Sequence, residues 1–276
     1  MTKGRRMKKL LIGGTHGNEW TGIYLLEYFA KFEDYDECVL ANPKAFQQNK
    51  RFVDEDLNRC FSQEKIQDPG TVYERARAAD LVEKIKKVDL LVDLHTTTSN
   101  MGPTVIFSQK SREVYQVLAY VQKNYPEVKF LFNPDPNKQY MISHAKLGFV
   151  IEVGPVANSC LKADVFESSK KIAKLISQAV SSQISLPESL EFYAYEMKID
   201  YKYDENSKLA SMVHLDVQGK DFVPLRRGQA VLQDFYAKDI VVDGVEGLFP
   251  VFINEAAYYN YKYALQLVKK ELWPRP

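Results

Sequence analysis

An α/β fold, a mixed sheet flanked by helices with a smaller β unit behind it, is predicted by three features of this 276-residue sequence. Between Lys8 and about Ser182, short apolar runs alternate with helix-length segments, the pattern of a parallel or mixed sheet covered on both faces. Around Ser181-Ser182-Gln183-Ile184-Ser185-Leu186-Pro187 the composition shifts to Ser and Pro, and beyond it come short alternating runs rich in Tyr, Val and Gly. The length suits one large α/β domain plus a smaller unit, placed at 1–189 and 190–276.

Leu10-Leu11-Ile12 sets the first strand, 8–13, and Gly13-Gly14-Thr15-His16-Gly17-Asn18-Glu19 leads from it into a helix over 19–31. His16 and Glu19, three residues apart where strand gives way to helix, are expected on one face of the first turn, where they can grip one metal ion. Each alone has a plainer reading, His16 as a satisfied turn residue and Glu19 as an acid favoured by the helix dipole. The glycines also suit a nucleotide pyrophosphate. Their spacing, however, is not G-x-G-x-x-G, no Walker lysine follows, and the next strand, 38–42, brings no ribose-binding acid.

The stretch 43–70 has no clear periodicity and is longer than most connections, so it is expected to be functional or mobile. It holds Arg51-Phe52-Val53-Asp54-Glu55-Asp56-Leu57-Asn58-Arg59, read either as a solvated charged loop or as guanidinium groups that grip a carboxylate and stabilise an oxyanion. A helix over 71–87 leads to a strand over 88–94, which ends at His95, a third ligand at a place where open α/β sheets bind theirs. Three protein ligands leave a fourth position for water, the arrangement of catalytic zinc. A strand at 104–108, a helix at 111–123, strands at 128–132 and 148–153 and a helix at 162–182 complete the unit. Glu152 stands at the end of the apolar run Phe149-Val150-Ile151, where a carboxylate either closes an ion pair or has a task. Beside a zinc-bound water that task is proton transfer, and the parts together describe metal-assisted amide hydrolysis, with Arg51 at the oxyanion and Arg59 on a substrate carboxylate.

Composition narrows the classes. A formal net charge of +1 gives no overall pull toward nucleic acid or membrane, and no apolar segment approaches the ~18 residues of a membrane span. The apolar stretch behind the basic start, Met1 to Lys9, is too short for a signal-peptide core. Cys38, Cys60 and Cys160 lack the spacing of a zinc ribbon or disulfide framework, which fits a reducing, cytoplasmic setting. His214 reads as a surface or core residue of the β unit, and most of the tyrosines 258, 259, 261 and 263 as sheet packing.

Gly-Gly-Thr-His-Gly-Asn-Glu at 13–19, Asp-Leu-Asn-Arg at 56–59, Asp-Leu-His-Thr-Thr-Thr-Ser-Asn-Met-Gly at 93–102, Ile-Glu-Val-Gly-Pro at 151–155 and Pro-Val-Phe-Ile-Asn-Glu-Ala-Ala-Tyr-Tyr at 250–259 run almost from end to end. In combination they resemble the aspartoacylase and succinylglutamate desuccinylase family of zinc carboxypeptidase-like hydrolases. The resemblance implies a zinc carboxypeptidase-like core with a C-terminal β domain that narrows the active-site channel. It implies one zinc ion per subunit held by His16, Glu19 and His95, with Glu152 as general base and acid and Arg51 polarising the scissile carbonyl. Asn58, Arg59 and Tyr258 match positions that recognise the substrate, with Lys262 near the same edge, and the family's frequent dimers make a homodimer an option.

The reaction so implied is deacetylation of N-acetyl-L-aspartate to acetate and L-aspartate. Two departures bear on the substrate. His144 stands near the place where aspartoacylase has a carboxylate-binding arginine, and is read equally as a substrate contact or a loop residue; Thr96 replaces an asparagine of the mammalian enzyme. Both weaken the case for an aspartate-sized dicarboxylate, so deacylation of an N-acetyl aromatic amino acid or of N-succinylglutamate is the alternative. A non-catalytic metal-binding protein is the contrasting class, disfavoured because a mere binder needs no base beside an open coordination site.

Overall fold

The first apolar run forms β1 (Lys9–Gly13), and its alternation decides which core each side chain joins. Leu11 enters a core built with helices α1 (Trp20–Phe29), α5 (Arg112–Asn124) and α6 (Ala163–Ala179), whereas Leu10 and Ile12 face the opposite core, with α4 (Tyr73–Ile85). The sheet is thus buried on both faces, as helices on both sides require. This computed structural model describes residues 6–276; the part of the basic start read above that precedes residue 6 lies outside the described residues.

Between these helices lie β2 (Glu37–Leu40), β3 (Leu90–Thr96), β4 (Gly102–Phe107), β5 (Lys129–Phe132) and β6 (Leu147–Gly154). Residues 43–70 are ordered by short pieces: α2 (Pro43–Gln47), a 3-10 turn Leu57–Arg59 and α3 (Gln63–Gln67). Pieces of three to five residues are too short for a helical period to show in sequence, which is why the stretch reads as irregular.

After α6 come β7 (Ser189–Asp200), β8 (Met212–Val213), β9 (Ala230–Gln233), β10 (Asp239–Val241), β11 (Phe249–Val251) and β12 (Tyr263–Pro274). Among the described residues the main sheet has nine strands in the order β11-β12-β7-β5-β4-β6-β3-β1-β2, and β10-β9-β8 form a separate three-stranded sheet. Strands β2, β1, β3 and β6 are parallel, β4 runs against β6, β5 and β7 follow β4, and β12 and β11 alternate, so the sheet is mixed as expected. The long strands β7 and β12 serve three cores, the third through Tyr193 and Val268. Leu190, Phe192 and Trp273 enter the core beneath α5 and α6, while Ile199, Leu265 and Leu267 pack with Val213, Val231 and Leu232 of the smaller sheet.

The parallel strands β1, β3 and β6 end on the same side, and that edge holds His16, His95 and Glu152. In register, His95 of β3 stands directly beside Glu152 of β6. Among the described residues no helix is long and apolar enough to cross a membrane.

Candidate active site and metal centre

His16 and Glu19 converge by a different route from the one the sequence suggests. Helix α1 begins at Trp20, and Glu19 precedes it with a non-helical ψ of 80°. The two side chains meet across a tight turn closed by the Glu19 N–H donating to the His16 carbonyl at 3.2 Å. Gly17 makes room for that turn: a Cβ there would lie 2.2 Å from the backbone of Ala45 and Phe46 in α2.

Three buried side chains then face one another. Glu19 Oε1 lies 2.5 Å from His16 Nδ1, and its Oε2 lies 3.0 Å from His95 Nδ1. The rings are 4.8 Å apart, and the ligand atoms of His16, Glu19 and His95 all fall within 4.8 Å of one another. Each imidazole turns its other nitrogen to a buried aspartate: His16 Nε2 to Asp56 at 3.1 Å, His95 Nε2 to Asp93 at 2.8 Å. Asp93 is in turn fixed by the Thr15 hydroxyl at 2.9 Å. A carboxylate behind a histidine sets its tautomer and leaves the opposite nitrogen as a lone-pair donor, the arrangement behind metal-ligating histidines.

The charges point the same way. Glu19, Asp56 and Asp93 place three buried carboxylates around two imidazoles and the Arg51 guanidinium. Burial acts to raise the Glu19 carboxyl, but His16 and His95 together hold it well below the usual range. Burial acts to lower His95, and Asp93 followed by Glu19 more than reverses this, holding it well above its ordinary value. A cluster that draws positive charge so strongly fits a divalent cation, and its two-imidazole, one-carboxylate donor set suits zinc.

Arg51 spans the cluster. Its Nη1 donates to Glu19 at 3.2 Å, and its Nε and Nη2 donate to Asp56 at 3.3 and 3.2 Å. Arg59 differs: among the described residues no carboxylate lies within ion-pair distance of it, although burial, which acts to lower it, is more than offset through space by its neighbours, Asp56 foremost, so that it is raised. Its Nη1 donates to the Asn58 carbonyl at 2.9 Å, and Tyr140 and Tyr261 flank the guanidinium with ring centroids at 5.2 and 5.5 Å.

Glu152 is 8% exposed, and among the described residues no hydrogen bond or ion pair holds its carboxyl. Burial pushes it up to about 8; His95 opposes the shift and Glu19 and Glu255 add to it. Burying a carboxyl with no partner is costly for its charged form, and a carboxyl so placed is able to exchange a proton near neutral pH.

One cavity gathers His16, Glu19, Arg51, Asn58, Arg59, His95, Glu152 and Tyr258. Sequence reasoning passed over three supports that the structure brings in. Asp93 sits two residues before His95 on the same strand face, a signal present in the period-2 pattern. Asp56 reads in sequence as a loop charge that opens the Asp-Leu-Asn-Arg segment, with no role of its own. Glu255, buried, accepts hydrogen bonds from the Thr97 hydroxyl, the Thr98 N–H at 2.7 Å and the Thr98 hydroxyl at 2.9 Å, tying the segment after His95 to the turn that carries Tyr258. Two expected contacts are not brought in. His144 Nε2 faces the carbonyls of Phe61 and Lys138 at 2.9 and 3.0 Å, and Lys262 stands over the Tyr203 ring at 5.1 Å, both away from the cavity wall.

A family model described as the succinylglutamate desuccinylase/aspartoacylase catalytic domain matches residues 6–179, and one described as the AstE/AspA barrel-sandwich hybrid domain matches 188–270. The chain is 34% identical over 281 residues to a probable aspartoacylase of Nostoc sp., covering 95% of this chain and 96% of that protein. It is 33% identical over 279 residues to the human N-acyl-aromatic-L-amino acid amidohydrolase (carboxylate-forming), covering 90% and 86%. The crystal structure of murine aminoacylase 3 superposes with a TM-score of 0.91 at 28% identity, covering 98% of this chain and 97% of that one.

Proposed function

Because the chain belongs to the succinylglutamate desuccinylase/aspartoacylase family and is an amide hydrolase, we propose that it removes the acyl group from an N-acyl-L-amino acid with zinc as cofactor. The observation that carries this reading is the unpaired, buried carboxyl of Glu152 beside the His16, Glu19 and His95 cluster. Those three residues would hold the ion, which when bound supplies a Lewis acid that polarises the amide carbonyl and brings the pKa of a water from ~15.7 to about 7.

The protein's own groups do the rest. Glu152 takes the proton of the attacking water and returns it to the amine nitrogen as the C–N bond breaks, giving a carboxylate and a free amino acid. Arg51 donates to the carbonyl oxygen as negative charge develops there, a contribution worth about 3–4 kcal/mol of barrier. Arg59, with no carboxylate partner of its own, binds the carboxylate of the amino acid with Asn58 and Tyr258 beside it. Tyr195, Phe252, Tyr258, Tyr263 and Gln266, all from residues 190–276, line the cavity and support the reading that this unit narrows the channel.

The charge inventory bears on the substrate. Among the described residues the cavity wall carries two guanidinium groups and no lysine; Arg51 is already shared between Glu19 and Asp56, so Arg59 is left for one carboxylate. The remaining wall sets Ile106, Leu131, Ile142, Val150 and Phe252 beside uncharged polar groups such as Asn133, Tyr195 and Gln266. A second carboxylate buried against these side chains would lack a counter-charge. An apolar amino acid side chain is therefore the better fit, and N-acetyl-L-aspartate, favoured by the matched motifs and by the aspartoacylase-named relatives, is the second reading.

Rates with zinc-loaded protein on N-acetyl-L-phenylalanine, N-acetyl-L-aspartate and N-succinyl-L-glutamate decide between them. We expect N-acetyl-L-phenylalanine to have the highest kcat/KM, and Glu152→Ala to lower kcat by about 10²–10⁴-fold with zinc still bound. A higher kcat/KM for the aspartate compound reverses the substrate assignment, and no cleavage of any of the three removes the deacylase reading.

A further inference from the structure

The carboxylate of Glu74, fully buried in the first turn of α4, has no part in the chemistry above. It nonetheless accepts four hydrogen bonds at the loop that carries Arg51 and Asp56. Its Oε1 accepts from the Val53 N–H at 2.7 Å and from the Asn42 side chain at 3.1 Å. Its Oε2 accepts from the N–H groups of Asp54 and Glu55 at 3.0 and 3.2 Å. Three consecutive backbone N–H groups curled around one carboxylate form an anion nest whose anion is a side chain of the same protein. Charge-assisted bonds of this kind are stronger than neutral ones, and the N-terminus of a 13-residue helix adds favourable potential for the charge.

The loop returns the contact. Asp54 Oδ2 accepts from the Tyr73 N–H at 2.9 Å, and Glu55 Oε2 accepts from Arg75 Nε at 2.8 Å, so loop and helix interlock around Glu74. The nest lies between Arg51, which reaches Glu19, and Asp56, which reaches His16. On the other side Asn42 caps α2 by accepting the Ala45 N–H at 3.2 Å, and it is the backbone of α2 that packs against Gly17 beside His16. One buried carboxylate therefore braces the cluster from two directions.

We propose that Glu74 is a positioning residue of the active site, fixing the 51–56 loop so that Arg51 and Asp56 meet Glu19 and His16 in the reactive geometry. Its kinetic consequence rests on the deacylase reading; its structural consequence does not. In Glu74→Gln an amide N–H replaces an acceptor and confronts the N–H groups of the nest. Hydrogen exchange of the amides at 53–55 should accelerate roughly tenfold or more. Zinc affinity should fall about 10–100-fold as Asp56 loosens behind His16. On N-acetyl-L-phenylalanine kcat should fall about 100-fold, since misplacing a catalytic group by about 1 Å has that effect, while KM stays within about threefold because the Arg59 guanidinium is held outside the nest, by the Asn58 carbonyl and between the rings of Tyr140 and Tyr261.

Leu81→Ala, in the same helix and fully buried, is the comparison: it should lower the melting temperature at least as much yet keep kcat within about threefold below the melt. If Glu74→Gln does not fold, Glu74→Asp, which keeps the charge but withdraws it by one methylene, is measured in the same way. Exchange at 53–55 as slow as in the wild type, or kcat no lower than in Leu81→Ala, overturns the proposal. If the wild type cleaves no N-acyl amino acid, the deacylase reading fails alone, and the exchange and zinc-affinity measurements still decide the role of Glu74.

Discussion

Glu152 is ionised at a cost, and that cost can be read without a substrate. Its carboxyl is pushed up to about 8 by burial, against an ordinary 4.5. A folded-state value above the unfolded one contributes stability that is fully present below about pH 4.5 and is lost as pH rises through about 8. Glu152→Gln removes the titration and keeps the shape. With zinc stripped by a chelator, the variant should therefore match the wild type near pH 4.5 and melt higher by roughly 2 °C or more at pH 8.5, the gap opening between those limits. A gap that is constant over the range, or that closes with rising pH, contradicts an unpaired burial of this group. The same residue was legible in the sequence because an acid at the end of Phe149-Val150-Ile151 breaks an apolar run for no packing reason. Asp56 and Asp93 were not singled out, since a loop charge and a strand aspartate acquire meaning only once His16 and His95 are seen to turn their Nε2 atoms toward them.

At the level of elements, the turn between β1 and α1 depends on the absence of a side chain at Gly17. An added Cβ would meet the α2 backbone at 2.2 Å, and backbone cannot swing aside as a side chain can. The same residue donates its N–H to the Arg51 carbonyl at 3.1 Å, so a shift there moves His16 and the Arg51 loop together. Gly17→Ala should cost about 1–3 kcal/mol as an overpacking change and weaken zinc binding, read by thermal melting and by zinc titration; a melt and an affinity equal to the wild type would show that α2 yields freely. This sensitivity explains what the sequence could and could not disclose about the fold. Leu10-Leu11-Ile12 and Val88 to Leu94 announce their strands because buried strands must be apolar on both faces. The geometry of 43–70 is set instead by caps and long-range contacts, Asn42 on Glu74 and Arg51 on Glu19, which leave no period in the residues themselves.

For the whole molecule, a division drawn from composition at 190 and the course of the polypeptide through the cores lead to different expectations for unfolding. Leu190 and Phe192 of β7 and Trp273 of β12 lie in the core beneath α5 and α6, with Trp273 stacked on Phe107 at 5.9 Å and edge-on to Tyr115 at 5.2 Å. Strand β7 also pairs with β5 through Leu131 and Tyr193, so a chain ending at 187 would leave β5 with an open edge above an incomplete core. Such a fragment should be insoluble or unfolded when expressed alone. The intact protein should melt in a single transition, with calorimetric and van't Hoff enthalpies equal within error. Trp273→Ala, expected to cost about 3–5 kcal/mol, should move that whole transition to lower temperature and, because the same strand pair supports the cavity wall through Tyr195 and Gln266, should weaken substrate binding at temperatures approaching the melt. Two resolved transitions, with Trp273→Ala displacing one of them and leaving zinc release by the other unchanged, would mean that the strands β7 and β12 join the cores in space without coupling them in energy.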